Sequence, residues 1–232
     1  MKENINNILE KISLACKNSN RDKKEIFLLP VSKTVDVDKI QEAIDLGFYT
    51  FGENKVQEIL KKYEYFDGKV KFHMIGHLQT NKVKSIIDKV ELIHSLDRIS
   101  LLDKLELEAK NKGITVNCLV EVNIGKEDSK SGIFEEDVLD FIREVSKRDN
   151  VLVNGLMTVA PYCEDAEDTR IYFKKMKSLF DEISKLKLKN VDMKILSMGM
   201  SNDFMVAIEE GSNLIRIGTS IFGERDYGVI SK

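Results

Sequence analysis

Two short turns late in the sequence combine glycine with hydroxyl side chains. One turn is SMGMSND at residues 197–203, and the other is GTS at residues 218–220. Backbone N–H groups, a hydroxyl and the start of a helix together suit a phosphate group. The alternative is that Ser201 and Thr219 only cap helices, since both residue types do so without any ligand.

Two basic residues stand beside apolar, strand-like segments. Lys33 follows the run IFLLPV, and Arg216 lies within LIRI at residues 214–217. A lysine becomes nucleophilic when a desolvated setting lowers its pKa, although an isolated lysine is ordinarily solvated. Side chains alternate between the two faces of a strand, so Arg216 is buried if its face of the strand points inward. A buried guanidinium needs an acceptor, which could be a ligand or a carboxylate such as Glu121.

Strand and helix patterns alternate through the whole sequence and would position these groups. Strands are predicted at 26–31, 48–51, 71–75, 91–94, 114–122, 151–157, 194–198 and 213–217. Helices are predicted at 3–17, 36–46, 54–66, 79–89, 98–111, 135–148, 166–188 and 202–210. Eight strands with intervening helices favour an α/β fold of the (β/α)8 TIM-type, with an extra N-terminal helix, over an open doubly wound sheet. Because no linker-like stretch divides the chain, we expect a single domain over residues 1–232.

A barrel of this kind places its chemistry at the carboxyl ends of the strands, with phosphate sites in the loops after strands seven and eight. The two glycine-containing turns fall at those two positions, and Lys33 falls at the end of strand one. A lysine amine, a phosphate site and a buried arginine match the needs of pyridoxal phosphate. The sequence therefore predicts a site for this cofactor at the carboxyl ends of the strands.

Six segments resemble the pyridoxal phosphate homeostasis protein family, whose members are single-domain relatives of the alanine racemase N-terminal barrel. They are PVSKT (30–34), FGENKVQE (51–58), FHMIGHLQTNK (72–82), VNIGKEDSKSGI (122–133), GLMTVAPY (155–162) and SMGMSNDFMVAIEEGSNLIRIGTSIFGER (197–225). The resemblance implies that Lys33 holds pyridoxal 5'-phosphate as a Schiff base and that Arg216 faces the pyridine nitrogen. It also implies that the phosphate is bound by the turns that contain Met200, Ser201, Gly218 and Thr219.

Two further residues occupy motif positions that the resemblance places around the cofactor ring, Asn54 and His73. The chain departs from the family pattern at His77, where proline is common, and at Asn213 and Ser220, where threonine and alanine are common. The change at His77 affects the expected conformation of the loop after strand three. The predictions for Lys33 and Arg216 do not depend on it.

Several classes of protein are disfavoured. The N-terminus has no apolar segment of a secretory signal, and the apolar runs are too short to cross a bilayer, so we expect a cytoplasmic protein. A net charge of −3 gives no basic face for nucleic acid. The three cysteines contain no CxxC pair, and Gly76 between His73 and His77 disrupts the helical geometry of a zinc pair, so we expect no metal.

Three functions remain open for such a chain: a pyridoxal phosphate carrier, a racemase that uses the same cofactor, and a barrel enzyme for a phosphorylated metabolite. An arginine beside the pyridine nitrogen opposes its protonation and weakens the ring as an electron sink. In alanine racemases, the resemblance implies, a second base comes from an additional domain, and here the sequence ends at Lys232. We therefore expect a monomeric carrier that is not an enzyme, with apo forms of pyridoxal phosphate enzymes as possible partners.

Overall fold

The protein is seen here in a computed structural model that describes residues 1–223. Eight parallel strands form one sheet in the order β1-β8-β7-β6-β5-β4-β3-β2. The strands are β1 Phe27–Pro30, β2 Thr50–Glu53, β3 Lys71–Met74, β4 Leu92–Leu96, β5 Val116–Glu121, β6 Val151–Met157, β7 Val191–Ser197 and β8 Leu214–Ile217. Val31, directly after β1, pairs in parallel with Gly52 of β2, so the two edges of the sheet meet and the sheet forms a nearly closed barrel.

Helices alternate with the strands and cover the outside of the barrel. They are α1 Lys2–Asn18, α2 Val37–Asp45, α3 Val56–Tyr65, α4 Val83–Ile86, α5 Ile99–Lys112, α6 Val138–Val145, α7 Arg170–Lys185, α8 Phe204–Glu209 and α9 Thr219–Phe222. The predicted barrel and its additional N-terminal helix are confirmed. The prediction of one domain over 1–232 extends beyond the described residues, as do Glu224 and Arg225 of the last family motif.

Several element boundaries differ from the sequence prediction. The helix predicted at 79–89 is a 3-10 turn at Thr80–Lys82 followed by the four residues of α4. Strand β7 begins at Val191, three residues before the predicted start at 194, because Val191 pairs with Val153 of β6. The register then shifts so that Gly155 lies opposite Ile195. A Cβ atom at position 155 would lie 1.8 Å from the carbonyl oxygen of Ile195, so this pairing requires glycine.

The barrel interior differs in character from the layer between sheet and helices. The outer layer is a continuous apolar core that contains Phe51, Phe72 and Phe173. Inside the barrel, the apolar cluster is small and contains Leu92, Leu119 and Met157, packed against Val159 and Ile195. Buried polar side chains also lie inside the barrel, among them His94, Ser197 and Arg216, which contact one another in a row.

Two features are absent from residues 1–223, the part of the chain that the structure describes. None of the helices there has both the length and the apolar character needed to cross a membrane. The same part of the chain contains no group of three or more histidine, cysteine or acidic side chains placed to hold a metal ion.

Candidate functional site

A large cavity opens at the carboxyl ends of the strands. Its volume is about 1020 Å³, and we call it the carboxyl-terminal cavity. All the predicted site residues except His73 line it: Lys33, Asn54, Met200, Ser201, Arg216, Gly218 and Thr219. The fold thus brings residues from the ends of β1, β2, β7 and β8 to one place.

Lys33 lies in a tight turn directly after β1. The turn is closed by a 3.0 Å hydrogen bond from Val35 N to the carbonyl oxygen of Ser32. Thr34 adopts a left-handed conformation with φ of 61°, which is strained for a threonine. Its N–H donates to Glu58 Oε2 at 2.7 Å, so a carboxylate holds the strained residue in place.

A buried ionic cluster supports this turn from below. Lys62 Nζ donates to Glu53 Oε1 at 2.6 Å and to the carbonyl oxygen of Ser32 at 2.8 Å. Ser32 Oγ donates to the same Glu53 oxygen at 2.6 Å. Burial raises the pKa of Glu53, while the charge of Lys62 opposes this rise. We call Ser32, Glu53, Glu58 and Lys62 the lysine-turn cluster.

Sequence reasoning missed this cluster, although one signal was present. Val56, Ile59 and Lys62 are the buried residues of α3, so the lysine continues the apolar stripe at a spacing of three. Glu58 stands four residues before it, which is the spacing of a helical ion pair. Burial raises the pKa of Glu58, but the Thr34 N–H bond and the Lys62 charge more than offset this and bring it below its usual value.

Arg216 on β8 is almost completely buried and lines the floor of the cavity. Its Nη1 donates to the carbonyl oxygen of Ser197 at 2.9 Å and to Ser197 Oγ at 2.7 Å, and its Nη2 donates to the carbonyl oxygen of Thr158 at 2.7 Å. Burial lowers the pKa of Arg216 to about 10, and the carboxylates of Asp203 and Glu121 oppose this. All three of these hydrogen bonds go to neutral oxygens. The salt bridge to Glu121, which the sequence left open as a structural alternative, is not among them.

The turn after β7 is organised by Asp203. Met200 N donates to Asp203 Oδ1 at 2.6 Å. Burial raises the pKa of Asp203, although this hydrogen bond and Arg216 oppose the rise. Ser201 makes no capping hydrogen bond to α8, whose N-cap is Asp203. The hydroxyl of Ser201 thus stands at the cavity without a capping role in the described structure.

The turn after β8 has the same character. The helix α9 begins with Gly218 as its N-cap, and the N–H groups of Ile221 and Phe222 donate to the Gly218 carbonyl oxygen at 2.9 and 3.0 Å. Thr219 and Ser220 are the first two residues of α9. The first N–H groups of a helix have no acceptor within the helix, so these two amides can donate to a bound group. Helix capping by a Thr219 side chain is not observed. The capping alternative for both hydroxyls therefore does not hold within the described residues.

Asn54 is half-buried on the wall of the cavity, directly after β2. The loop after β3 passes so close that a Cβ atom at Gly76 would lie 2.4 Å from the carbonyl oxygen of Asn54. Glycine at this position therefore lets the two loops pack together. The neighbouring His77 is about half exposed, and its Nδ1 lies 3.7 Å from Asp97 Oδ2.

His73 does not reach the carboxyl-terminal cavity. It pairs with Leu92, the first residue of β4, and lies at the opposite end of the barrel. There it lines a cavity of about 550 Å³ together with Phe27, Lys71 and Glu91, which we call the amino-terminal cavity. The resemblance expected His73 around the cofactor ring, and its position in β3 separates it from the other predicted residues.

The segment after β6 forms a further wall of the carboxyl-terminal cavity that sequence reasoning did not select. Pro161, Tyr162 and Cys163 line it, and Tyr162 is 79% exposed. Lys130 also faces the cavity, but its Nζ donates to the carbonyl oxygen of Ala160 at 3.1 Å and pairs with Glu127. Lys130 is therefore hydrogen-bonded to the wall of the cavity and is not a purely solvated loop lysine.

Comparison with known proteins agrees with this geometry. The family model described as "Alanine racemase, N-terminal domain" matches residues 7–226. The pyridoxal phosphate homeostasis protein of Aquifex aeolicus (strain VF5) is 46% identical over 226 residues, covering 97% of this chain and 98% of the relative. The protein of the same name from Escherichia coli (strain K12) is 35% identical, covering 97% and 96%. The chain belongs to the pyridoxal phosphate homeostasis protein family.

Solved structures support the same family and fold. PipY of Synechococcus elongatus PCC7942, described with PLP bound, has a TM-score of 0.80 and 30% identity, covering 93% of this chain and all of that one. Alanine racemase of Clostridium difficile 630 has a TM-score of 0.69 at 17% identity, covering 94% of this chain and 56% of that one. The second likeness shows the barrel fold alone.

Proposed function

We propose that this chain binds pyridoxal 5'-phosphate in the carboxyl-terminal cavity and serves the intracellular homeostasis of this cofactor. One observation carries the proposal: a single cavity brings together the Lys33 side chain, the buried Arg216 and two turns that present hydroxyls. The names of the relatives and the PLP-bound PipY structure support the same cofactor. Lys33 is the residue that we propose to hold it as a Schiff base.

The residues present fit each part of the cofactor. Its aldehyde condenses reversibly with a primary amine, which Lys33 supplies. Ser201, Gly218 and Thr219 offer hydroxyls and early helical amides, which suit a phosphate dianion. Met200 and Asn54 line the same cavity and complete the proposed contacts, whereas His73 lies outside it.

Arg216 favours a carrier over an enzyme. Even with burial, its pKa is about 10, so the guanidinium is charged at neutral pH. A cation beside a pyridine nitrogen opposes protonation of the ring and leaves it a weak electron sink for carbanion chemistry. We therefore propose that amino-acid turnover is negligible, and turnover of any amino acid at about 1 per second or faster would contradict this proposal.

The test of the site is borohydride reduction of the protein loaded with pyridoxal phosphate, followed by peptide mapping. We expect the pyridoxyl group on Lys33 and its loss in Lys33→Ala, with some non-covalent binding retained. The matched control is Lys130→Ala, which removes another lysine of the same cavity and should leave the label in place. A label on a different lysine, or on none, would show that the site is assigned wrongly.

The phosphate contacts are tested separately from the lysine. Ser201→Ala combined with Thr219→Val should weaken binding of pyridoxal phosphate about tenfold or more, because charge-assisted hydrogen bonds are lost. Binding of unphosphorylated pyridoxal should change much less. Equal losses for both ligands would mean that these hydroxyls do not face the phosphate.

The partners of the carrier form a separate proposal. We propose a cytoplasmic monomer that releases its cofactor to apo forms of pyridoxal phosphate enzymes. Sedimentation of the loaded protein measures its oligomeric state. Reactivation of an apo-enzyme by loaded wild-type protein, but not by the borohydride-reduced form, would support release, and reactivation at the same rate by both would contradict it.

A further inference from the structure

A row of polar side chains crosses the barrel interior between the two cavities. Arg216 Nη1 donates to Ser197 Oγ at 2.7 Å, and this oxygen lies 3.2 Å from His94 Nδ1. His94 Nε2 lies 3.1 Å from His73 Nδ1, and His73 Nε2 lies 3.7 Å from Glu91 Oε2. We call these five residues the interior chain. It joins the floor of the carboxyl-terminal cavity to the wall of the amino-terminal cavity.

The guanidinium fixes the direction of the first hydrogen bond in the interior chain and limits the others. A guanidinium has donors and no acceptor, so Ser197 Oγ accepts from Arg216. The hydroxyl proton is then available for His94 Nδ1, 3.2 Å away. Burial, with the charges of His73 and Arg216, lowers the pKa of His94 well below its usual value, so this imidazole is neutral. With Nδ1 accepting, the single proton of His94 lies on Nε2 and is donated to His73 Nδ1.

A positive charge on His73 is incompatible with this arrangement. A protonated His73 carries a proton on Nδ1, and this donor would meet the Nε2–H donor of His94. The conflict is removed when the His94 proton lies on Nδ1 instead. Ser197 Oγ then accepts from both His94 and Arg216, so the whole row has the opposite polarity.

A carboxylate lies beside His73 at the amino-terminal end of the interior chain. The nearby His73 ring and the Lys71 ammonium hold the pKa of Glu91 at about 2, so a carboxylate faces the ring. Lys71 pairs with this carboxylate at 2.7 Å, and Glu25 lines the same cavity. The opposing charges are those of Lys71 and of Arg216 beyond His94. At the far end, Arg216 itself is influenced by the carboxylates of Glu121 and Asp203.

We propose that His94 is a positioning residue for Arg216 and that protonation of His73 reverses the hydrogen-bond polarity of the interior chain. In the reversed state the lone pairs of Ser197 Oγ are shared between two donors. The hydrogen bond between Arg216 and Ser197 Oγ therefore depends on the protonation state of His73, at the opposite end of the barrel. The proposal rests on these contacts and does not require the cofactor.

The test is nitrogen-15 NMR of the full chain labelled at histidine, without added cofactor. The sequence contains three histidines, His73, His77 and His94, so the spectrum is simple. At about pH 8 we expect His94 to be neutral with its proton on Nε2, donated to His73 Nδ1. As the pH is lowered and His73 becomes protonated, we expect His94 to remain neutral and to move its proton to Nδ1.

Matched variants separate a specific effect from a general disturbance. His77→Asn removes the exposed imidazole and assigns the remaining signals. Ser197→Ala removes the hydroxyl that imposes the polarity, so His94 should show both tautomers at about pH 8. Ser95→Ala is the control, because Ser95 is equally buried beside His94 and its hydroxyl has no partner within the described residues. This variant should give the wild-type spectrum.

Several results would overturn the proposal. They are a His94 proton on Nδ1 at about pH 8 and a His94 tautomer that does not change when His73 is protonated. Equal effects of Ser95→Ala and Ser197→Ala would also overturn it. If Ser197→Ala does not fold, the titration of the wild-type protein decides alone. Because no cofactor is added, the outcome is independent of whether the chain binds pyridoxal phosphate.

Discussion

The two basic residues of the site are held in different ways. The Lys33 turn rests on the lysine-turn cluster, in which buried charges pair with each other and all residues lie between positions 32 and 62. Arg216 is held by neutral oxygens of Ser197 and Thr158, which lie 19 and 58 positions away in the sequence. Removing one partner of a buried ionic cluster leaves a buried charge unpaired, which costs much stability. Removing one neutral hydrogen-bonding group costs only about the free energy of the lost bond. We therefore expect mutations in the two supports to have unequal effects.

The largest effect is expected for Lys62→Met. This change leaves Glu53 buried and unpaired, and removing one member of a buried ion pair costs about 3–5 kcal/mol. Urea unfolding measures the loss. The double variant Lys62→Met with Glu53→Gln removes both charges and should recover part of the stability. A loss below about 1 kcal/mol in the single variant would show that the ionic cluster is no stronger a support than the neutral one.

A pH effect of intermediate size is expected from Glu121, near Arg216. Burial, followed by the charge of Asp97, raises the pKa of Glu121 to about 7. Because the folded state binds this proton more tightly than the unfolded state, the stabilising effect is complete below about pH 4.5 and is lost as the pH rises toward 7. The loss is on the order of 3 kcal/mol.

Glu121→Gln is the measurement that isolates this effect. The variant cannot ionise at this position, so its unfolding free energy should fall less than that of the wild type between about pH 4.5 and 7. Identical pH profiles for the two proteins would contradict the raised pKa. Glu136→Gln, a change at an exposed carboxylate paired with Lys126, is the control.

A smaller effect is expected for Ser197→Ala. It removes one neutral hydroxyl that accepts from Arg216, while the bond from Nη1 to the Ser197 carbonyl oxygen remains. We expect a loss of about 1–2 kcal/mol in urea unfolding, clearly below that of Lys62→Met. A loss as large as that of Lys62→Met would reverse the comparison of the two supports.

The smallest effect is expected for Thr34→Gly. The left-handed conformation costs an ordinary residue about 1–2 kcal/mol, and glycine avoids this but loses more entropy on folding. The net result should be a stabilisation of at most about 1 kcal/mol in urea unfolding. Asn20→Gly is the control, since Asn20 also has a positive φ but asparagine tolerates it better. A clear destabilisation by Thr34→Gly would show that the Thr34 side chain, and not its backbone, supports the turn.

The sequence predicted the parts of the site that depend on strand order. Alternating patterns placed Lys33 at the end of β1 and the two glycine-containing turns after β7 and β8, and parallel strands necessarily bring these ends together. His73 was misplaced because its distance from the cavity depends on barrel register and tilt, which the motif does not contain. The lysine-turn cluster was missed because the burial of Lys62 results from packing of α3 against β2, and sequence composition treats a lysine as solvated.

The short sequence span of the lysine-turn cluster has a consequence for the order of folding. Contacts between residues 32 and 62 close small loops, which form faster than contacts between distant parts of a chain. Arg216 and the two glycine-containing turns require β7 and β8, which are synthesised after the other six strands. We therefore expect a nascent chain to form the Lys33 turn before the contacts of Arg216. The cavity is complete only when β8 pairs with β1 and closes the barrel, so we expect cofactor capture to wait until β8 has been synthesised.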